Sequence, residues 1–359
     1  NIGLDLGFLN NRLNVSFDAY IRDTKDMLMA GKTLPGVYGA SSPRMNVADL
    51  RTKGWEASIT WGDSFTLASK PFNYRIMAGI GDNTSKVTKY DNPNRTLTDP
   101  YEGQQLGEIW GYVVDGYFKT DEEARNYKVD QSFVNQMINA SALDNGLHAG
   151  DLKFVDLDGN NKIEQTTSAN DRKDMKVIGN SLPRYNYNFG ISADWYGIDF
   201  SVLFQGIGKQ NWYPGAETSM FWGPYSRPYA SFIPSDFMSQ VWSEENTDAY
   251  FPRPRGYVAL GSNRELAVVN TKYLQNLAYC RLKNLSIGYT LPDKWLSKIG
   301  FEKIRVYFSG ENLLTFTKLH SDYIDPEQAS ASNSWKTSKS DANIYPWAKT
   351  YSFGVDITF

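Results

Sequence analysis

Asp156-Leu-Asp-Gly-Asn-Asn-Lys-Ile163 carries oxygen donors at alternate positions: Asp156, Asp158 and Asn160, with the Lys162 carbonyl next in the series. Alternate oxygens on a tightly wound loop suit Ca2+, which accepts roughly six to eight oxygen ligands at flexible angles. The pattern departs from an EF-hand loop in two places. Asn161 stands where the sharp turn usually takes Gly, and Asn tolerates the left-handed backbone. Thr167 stands where a bidentate Glu would close the shell, so Glu164, Asp171 or Asp174 would have to supply that oxygen. The expectation is a Ca2+ site with Asp156, Asp158, Asn160, Lys162 and Glu164 as its ligands. The plainer alternative is an Asx-rich turn whose side chains bond their own backbone.

A second group of candidates is aromatic. Trp212, Tyr213, Trp222 and Tyr225 crowd the stretch 208–232. Flat amphipathic rings stack on sugars or on apolar side chains. These four are therefore expected either to bind a ligand or dock a lid protein, or to pack loop against loop. Catalytic chemistry has little to draw on. Cys280 is the single cysteine, which excludes an internal disulfide framework and a cysteine zinc site, and His148 and His320 are the only histidines. No Ser/His/Asp or Cys/His constellation emerges, and Glu244-Glu245 sits in a polar, solvated stretch. The chain is not expected to be an enzyme.

The elements that would position these residues are strands. In Tyr351-Ser-Phe-Gly-Val-Asp-Ile-Thr-Phe359 every odd position is apolar and every even one small or polar. A strand sends successive side chains to opposite faces, so this segment has one apolar and one polar face. Its length matches the roughly 9–11 residues of a tilted strand crossing a bilayer. The same alternation predicts strands near 2–8, 13–26, 54–62, 73–83, 185–195, 198–207, 277–291, 304–316 and 351–359, and a short helix near 121–139. No run approaches the roughly 18 apolar residues of a transmembrane helix. A mean hydropathy of -0.48 does not argue against a membrane barrel, because only alternate residues of each strand need face lipid. A net charge of -3 gives no argument for a nucleic-acid partner.

The connections alternate in length: short at 9–12, long at 27–53, medium at 62–72, long at 84–184, minimal at 196–197, long at 208–272, compact at 292–303 and long at 317–350. Short turns on one side and long loops on the other are the outer-membrane signature. Phe8, Trp61, Trp195, Trp295 and Phe359 would form an aromatic girdle at the short-turn interface. The fold expected is an all-β, antiparallel transmembrane β-barrel in a bacterial outer membrane. Single-chain bacterial barrels have even strand counts, so nine strands are expected to be the C-terminal portion of a larger barrel, with 84–184 and 208–272 as long extracellular loops.

Five blocks resemble one family. They are Gly103-Gln-Gln-Leu-Gly-Glu-Ile-Trp-Gly-Tyr-Val-Val-Asp-Gly-Tyr-Phe118, Gly150-Asp-Leu-Lys-Phe-Val-Asp-Leu-Asp-Gly-Asn-Asn-Lys-Ile163, Val177-Ile-Gly-Asn-Ser-Leu-Pro-Arg184, Asn284-Leu-Ser-Ile-Gly-Tyr-Thr-Leu-Pro292 and Val306-Tyr-Phe-Ser-Gly-Glu-Asn-Leu314. In these blocks the chain resembles the SusC/RagA family of TonB-dependent outer-membrane transporters. The resemblance implies a plugged 22-stranded barrel, energy from TonB and a SusD-like surface lipoprotein as lid. Plug and TonB-contacting segment are absent from the chain. The resemblance also implies active import of oligosaccharides, with peptides as the main alternative substrate. A passive porin and an outer-membrane hydrolase are the rival classes. Asp199, Gln205, Arg281, Arg305 and Asn312 are expected on the inner face, most of them against a plug.

Overall fold

The computed structural model describes residues 1–31, 35–135, 146–226, 233–254, 259–261, 264–296, 300–329, 339–340 and 345–359. Nine strands form one antiparallel sheet in chain order. They are β1 (Ile2–Phe8), β2 (Leu13–Ala30), β3 (Arg44–Leu67), β4 (Lys70–Lys89), β5 (Arg184–Trp195), β6 (Ile198–Lys209), β7 (Tyr279–Thr290), β8 (Lys303–Thr317) and β9 (Thr350–Thr358). Each strand pairs only with its sequence neighbours, as an up-and-down barrel wall requires.

The register lines the apolar residues up in rows across the sheet. One row runs Phe353, Phe308, Ile287, Phe200, Ala193, Tyr74. Another, closer to the short turns, runs Val355, Val306, Tyr289, Ile198, Trp195, Phe72, Phe65. Along this face Phe189, Phe204, Ile191 and Phe353 have no covering layer among the described residues; Phe353 is 82% exposed, and Phe189 stacks on its cross-strand neighbour Phe204. An apolar face of this extent is the lipid-facing surface of a membrane barrel. Polar side chains occupy the opposite face, where Arg305 of β8 bridges Asp199 of β6 and Asp356 of β9.

Four tight connections close one end of the sheet. Leu9, Asn10 and Asn11 all have left-handed backbone, as do the two-residue turns Ala68-Ser69 and Tyr196-Gly197. Two left-handed residues in a row give a turn whose twist matches that of the flanking strands. The fourth connection contains the short helix α1 (Asp293–Leu296). Aromatics gather at this end: Phe65, Phe72 and Tyr74 cluster, Trp195 packs beside Tyr196, and Phe359 meets Phe301.

The structure lengthens three of the expected strands. β2 and β3 continue to Ala30 and back from Arg44, so the long connection expected at 27–53 is 31–43. The medium turn expected at 62–72 is the two-residue Ala68-Ser69 turn. In the length added to β3 and β4 both faces carry polar residues, as at Arg51 and Thr52 of β3 and Ser85 and Lys86 of β4, and Arg51 forms a bidentate pair with Asp23 of β2. Hydrophobic alternation is lost there while the backbone ladder persists. The helix expected near 121–139 is shorter. Thr120 caps Asp121–Arg125 by accepting from the Glu123 N–H, a single 3-10 turn follows at Ser132–Val134, and 136–139 lie outside the described residues.

Candidate functional site

Three long connections leave the end of the sheet opposite the tight turns: 90–183, 210–278 and 318–349. The first is anchored at once, because residues 103–106 fold back on β4 above the reach of β5. Gly103 N–H donates to the Val87 carbonyl, Val87 N–H to Gln104 and Leu106 N–H to Ser85. Two small hairpin-like pairings then frame it, Glu108–Tyr112 with Met175–Asn180 and Val114–Tyr117 with Leu152–Phe154. Three of the five blocks quoted above thus build the frame of this loop.

All three connections contribute to one buried core. It joins Tyr112, Tyr117, Leu152, Phe154 and Ile163 of the first, Trp212, Tyr213, Trp222, Tyr225, Phe237, Phe251 and Tyr273 of the second, and Leu319, Ile324 and Ala329 of the third. Trp212, Tyr213 and Trp222 are fully buried and Tyr225 is 1% exposed. Their polar atoms are satisfied inside the cap. The Tyr213 hydroxyl donates to Leu266 O, Trp222 Nε1 to Gly215 O and the Tyr225 hydroxyl to Pro252 O. Of the two roles open to these four aromatics, packing loop against loop is the one their contacts describe. They present no outward surface to a ligand or a lid, because burying rings of this size is what gives loops a core.

Burial also sets the ionisation of the cap. It holds the Tyr213 and Tyr273 hydroxyls well above the usual phenol range and pushes Tyr250 up to about 12. His320 lies against the Tyr250 ring with 3.5 Å between centroids and meets Gln240 through Nε2; desolvation lowers its pKa.

The acidic loop sits at the edge of the first connection. Asp156 accepts from the Gly159 and Asn161 N–H groups, and Asp158 from that of Asn160, an arrangement that winds the turn. Asn161 is left-handed there, with φ 62°, as its residue type permits. Asp156, Asp158 and Asp174 each bring one carboxylate oxygen within 4.8 Å of the others. Asp174 is fully buried, and desolvation raises its pKa even though it accepts from the Leu157 and Glu164 N–H groups. The Asn160 amide donates to both Asp158 and Glu164, and Glu164 is bracketed by the ammonium groups of Lys162 and Lys173. The carboxylate that the fold brings beside Asp156 and Asp158 is that of Asp174, while Glu164 turns to the two lysines. Three hard oxygens with spare lone pairs fit a Ca2+ ion, which would reverse the unfavourable burial of Asp174.

The inner face of the sheet carries a polar recess of about 360 Å3. Gly79 and Gly81 give it a side-chain-free floor, Asp18 and Glu56 stand on one side, and Asn186 and Asn188 on the other. Ser16, Ser58 and Tyr20 add hydroxyls. Sequence reasoning missed it because its residues come from four strands and no two share a motif. The expected inner residue Arg281 is buried among loop carboxylates rather than open to the lumen.

No family model matches the chain. Over its whole length it is 28% identical to the TonB-dependent receptor P3 of Formosa agariphila and 23% identical to the TonB-dependent receptor SusC of Bacteroides thetaiotaomicron. It spans 34% and 31% of those two relatives, about a third of their length. Among solved structures it is similar to the RagAB peptide importer in its open-open state, with a TM-score of 0.68, 21% identity, and coverage of 99% of this chain and 34% of that one.

Proposed function

Because the chain is a SusC-like segment of a TonB-dependent outer-membrane barrel, we propose that it forms the lipid-facing wall and the extracellular loop cap of an active nutrient importer. The observation that supports this reading is the shared aromatic core of the three long loops. A passive porin needs an open mouth, whereas these loops fold over one rim as a single body. Plug, TonB contact and a SusD-like lipoprotein lid belong to the proposal, since the chain spans about a third of its relatives.

The substrate class we favour is oligosaccharide. Carboxylates that can accept from ligand hydroxyls and carboxamides that both donate and accept suit a hydroxyl-rich ligand. Peptides are the second reading, favoured by the likeness to a structure described as a peptide importer. The test is uptake of labelled oligosaccharides and peptides by cells carrying the full receptor, with and without TonB. TonB-dependent oligosaccharide uptake is expected. Uptake of peptides alone would overturn the substrate class, and TonB-independent leakage would overturn the importer.

We also propose Ca2+ at Asp156, Asp158 and Asp174, where it would fix the turn at the edge of the cap. The support is the convergence of the three carboxylates.

A further inference from the structure

The third long loop is held to the rest of the cap by apolar and polar contacts together: Leu319, Ile324 and Ala329 enter the shared core, His320 stacks on Tyr250, the Ser321 hydroxyl donates to the Met220 carbonyl, and Lys339-Ser340 pair with Tyr213-Pro214. Its attachment to the strand wall is different. Arg281 and Lys283 lie two residues apart on β7, and Asp325 and Glu327 lie two apart on the loop. We propose that these four residues form an electrostatic strap that fastens the third loop to the wall, and that opening the strap frees the loop without disturbing the strands beneath.

The geometry is specific. Arg281 reaches Asp325 through Nη2 at 2.7 Å and Glu327 through Nη1 at 2.5 Å, while its Nε donates to the Thr315 hydroxyl of β8. Lys283 Nζ meets both Glu327 oxygens at 2.7 Å. Two cations face two carboxylates, so the closed cluster is neutral and any single loss leaves a charge without its partner.

Asp325 ties together three parts of the chain. Besides Arg281, it accepts from the Glu327 N–H within its own turn and from the Trp347 N–H on the leg returning to β9. Pro326 presets that turn. The same carboxylate thus fixes the outgoing leg, the returning leg and the wall. The strap is dry at one end and wetter at the other: the Arg281 and Asp325 side chains are 3% and 5% exposed, Lys283 and Glu327 19% and 23%. Water and ions can compete at the Glu327 end while the Asp325 end stays shielded, which suits a fastening that opens from one side.

The test is hydrogen exchange of the full-length receptor in outer-membrane vesicles. Asp325→Asn is expected to speed exchange in peptides covering 319–329 and 345–349 by at least about tenfold, since breaking a buried pair is costly. Exchange in β7 and β8 should stay as in the unaltered receptor. Unchanged exchange in the two loop segments, or equal acceleration in the strands, would overturn the strap. Should Asp325→Asn fail to reach the membrane, Glu327→Gln at the wetter end gives the same readout and stands under the same two outcomes.

Discussion

Tyr307 lies over Gly354, its register partner on β9, so that a Cβ at residue 354 would run into the phenol ring. Tyr20 bears the same relation to Gly54 across β2 and β3, and Tyr187 to Gly206 across β5 and β6. A ring placed this way covers backbone that the glycine leaves bare, a recurrent device in curved sheets. Gly354→Ala and Gly54→Ala should force the rings aside at a cost of about 1–3 kcal/mol each. The folded, heat-modifiable fraction on a gel should fall; an unchanged fraction at equal expression would show that the rings have room to move.

The last strand is expected to be needed for assembly. β9 pairs with β8 along its whole length, from Thr350 opposite Glu311 to Thr358 opposite Lys303. Removing Tyr351–Phe359 would leave an open edge in lipid, where each unpaired backbone group costs several kcal/mol. Phe359→Ala should act in the same direction more weakly, through its contact with Phe301. Normal amounts of membrane-embedded truncated protein would refute both.

The turn at Ala68-Ser69 holds two non-glycine residues in the left-handed region, at φ 48° and 64°. Ala68→Asn with Ser69→Gly supplies residues that adopt this geometry readily. The pair should stabilise the β3–β4 hairpin by about 1–2 kcal/mol, read as a higher denaturant midpoint of the purified barrel.

The wall was largely legible in the sequence, and the loop cap only in part. Strands such as Tyr185–Trp195 declare themselves because lipid on one side and a polar lumen on the other impose strict alternation. Where β3 and β4 rise beyond that environment, as at Arg51 and Lys86, the alternation stops and their limits could not be read. The cap is an ordinary water-facing core assembled from three distant segments, so the sequence left Trp212 and Trp222 open between a binding surface and loop-against-loop packing. The spacing of Asp156 and Asp158 was legible as a candidate pair of donors, and the expected set closed it with Glu164. Asp174 comes beside them only through the fold, which spacing does not show.

Calcium binding at the acidic loop is expected to be lost in Asp156→Ala with Asp158→Ala, and in Asp174→Ala, while the barrel remains folded. In crystals grown with calcium, anomalous scattering should place an ion within about 2.6 Å of these oxygens. Absence of such a peak would leave the Asx-rich turn alone.

The tyrosine-rich cap should be the first part of the molecule to fail in alkali. Burial raises the pKa of Tyr213, Tyr273 and Tyr250, so the folded cap favours the neutral phenol. An unfolded tyrosine ionises near pH 10, and each unit of difference corresponds to about 1.4 kcal/mol. The stabilisation is therefore complete below about pH 10 and falls as pH rises above it, through about 12 for Tyr250. Near-ultraviolet circular dichroism should change in that window while the strand signal persists. Simultaneous loss of both signals would mean the cap has no separate stability.

Sharing one interior among three loops also limits how the mouth of this protein can be redesigned or diversify. A segment swapped in from another receptor brings its own share of Trp222, Phe251 or Ile324 and must fit two hosts at once. Exchanging one loop alone should yield misfolded mouths on sound barrels. A chimera that moves 90–183, 210–278 and 318–349 together should fold a sound mouth on the recipient barrel, while the polar recess of β2–β5 stays with the wall.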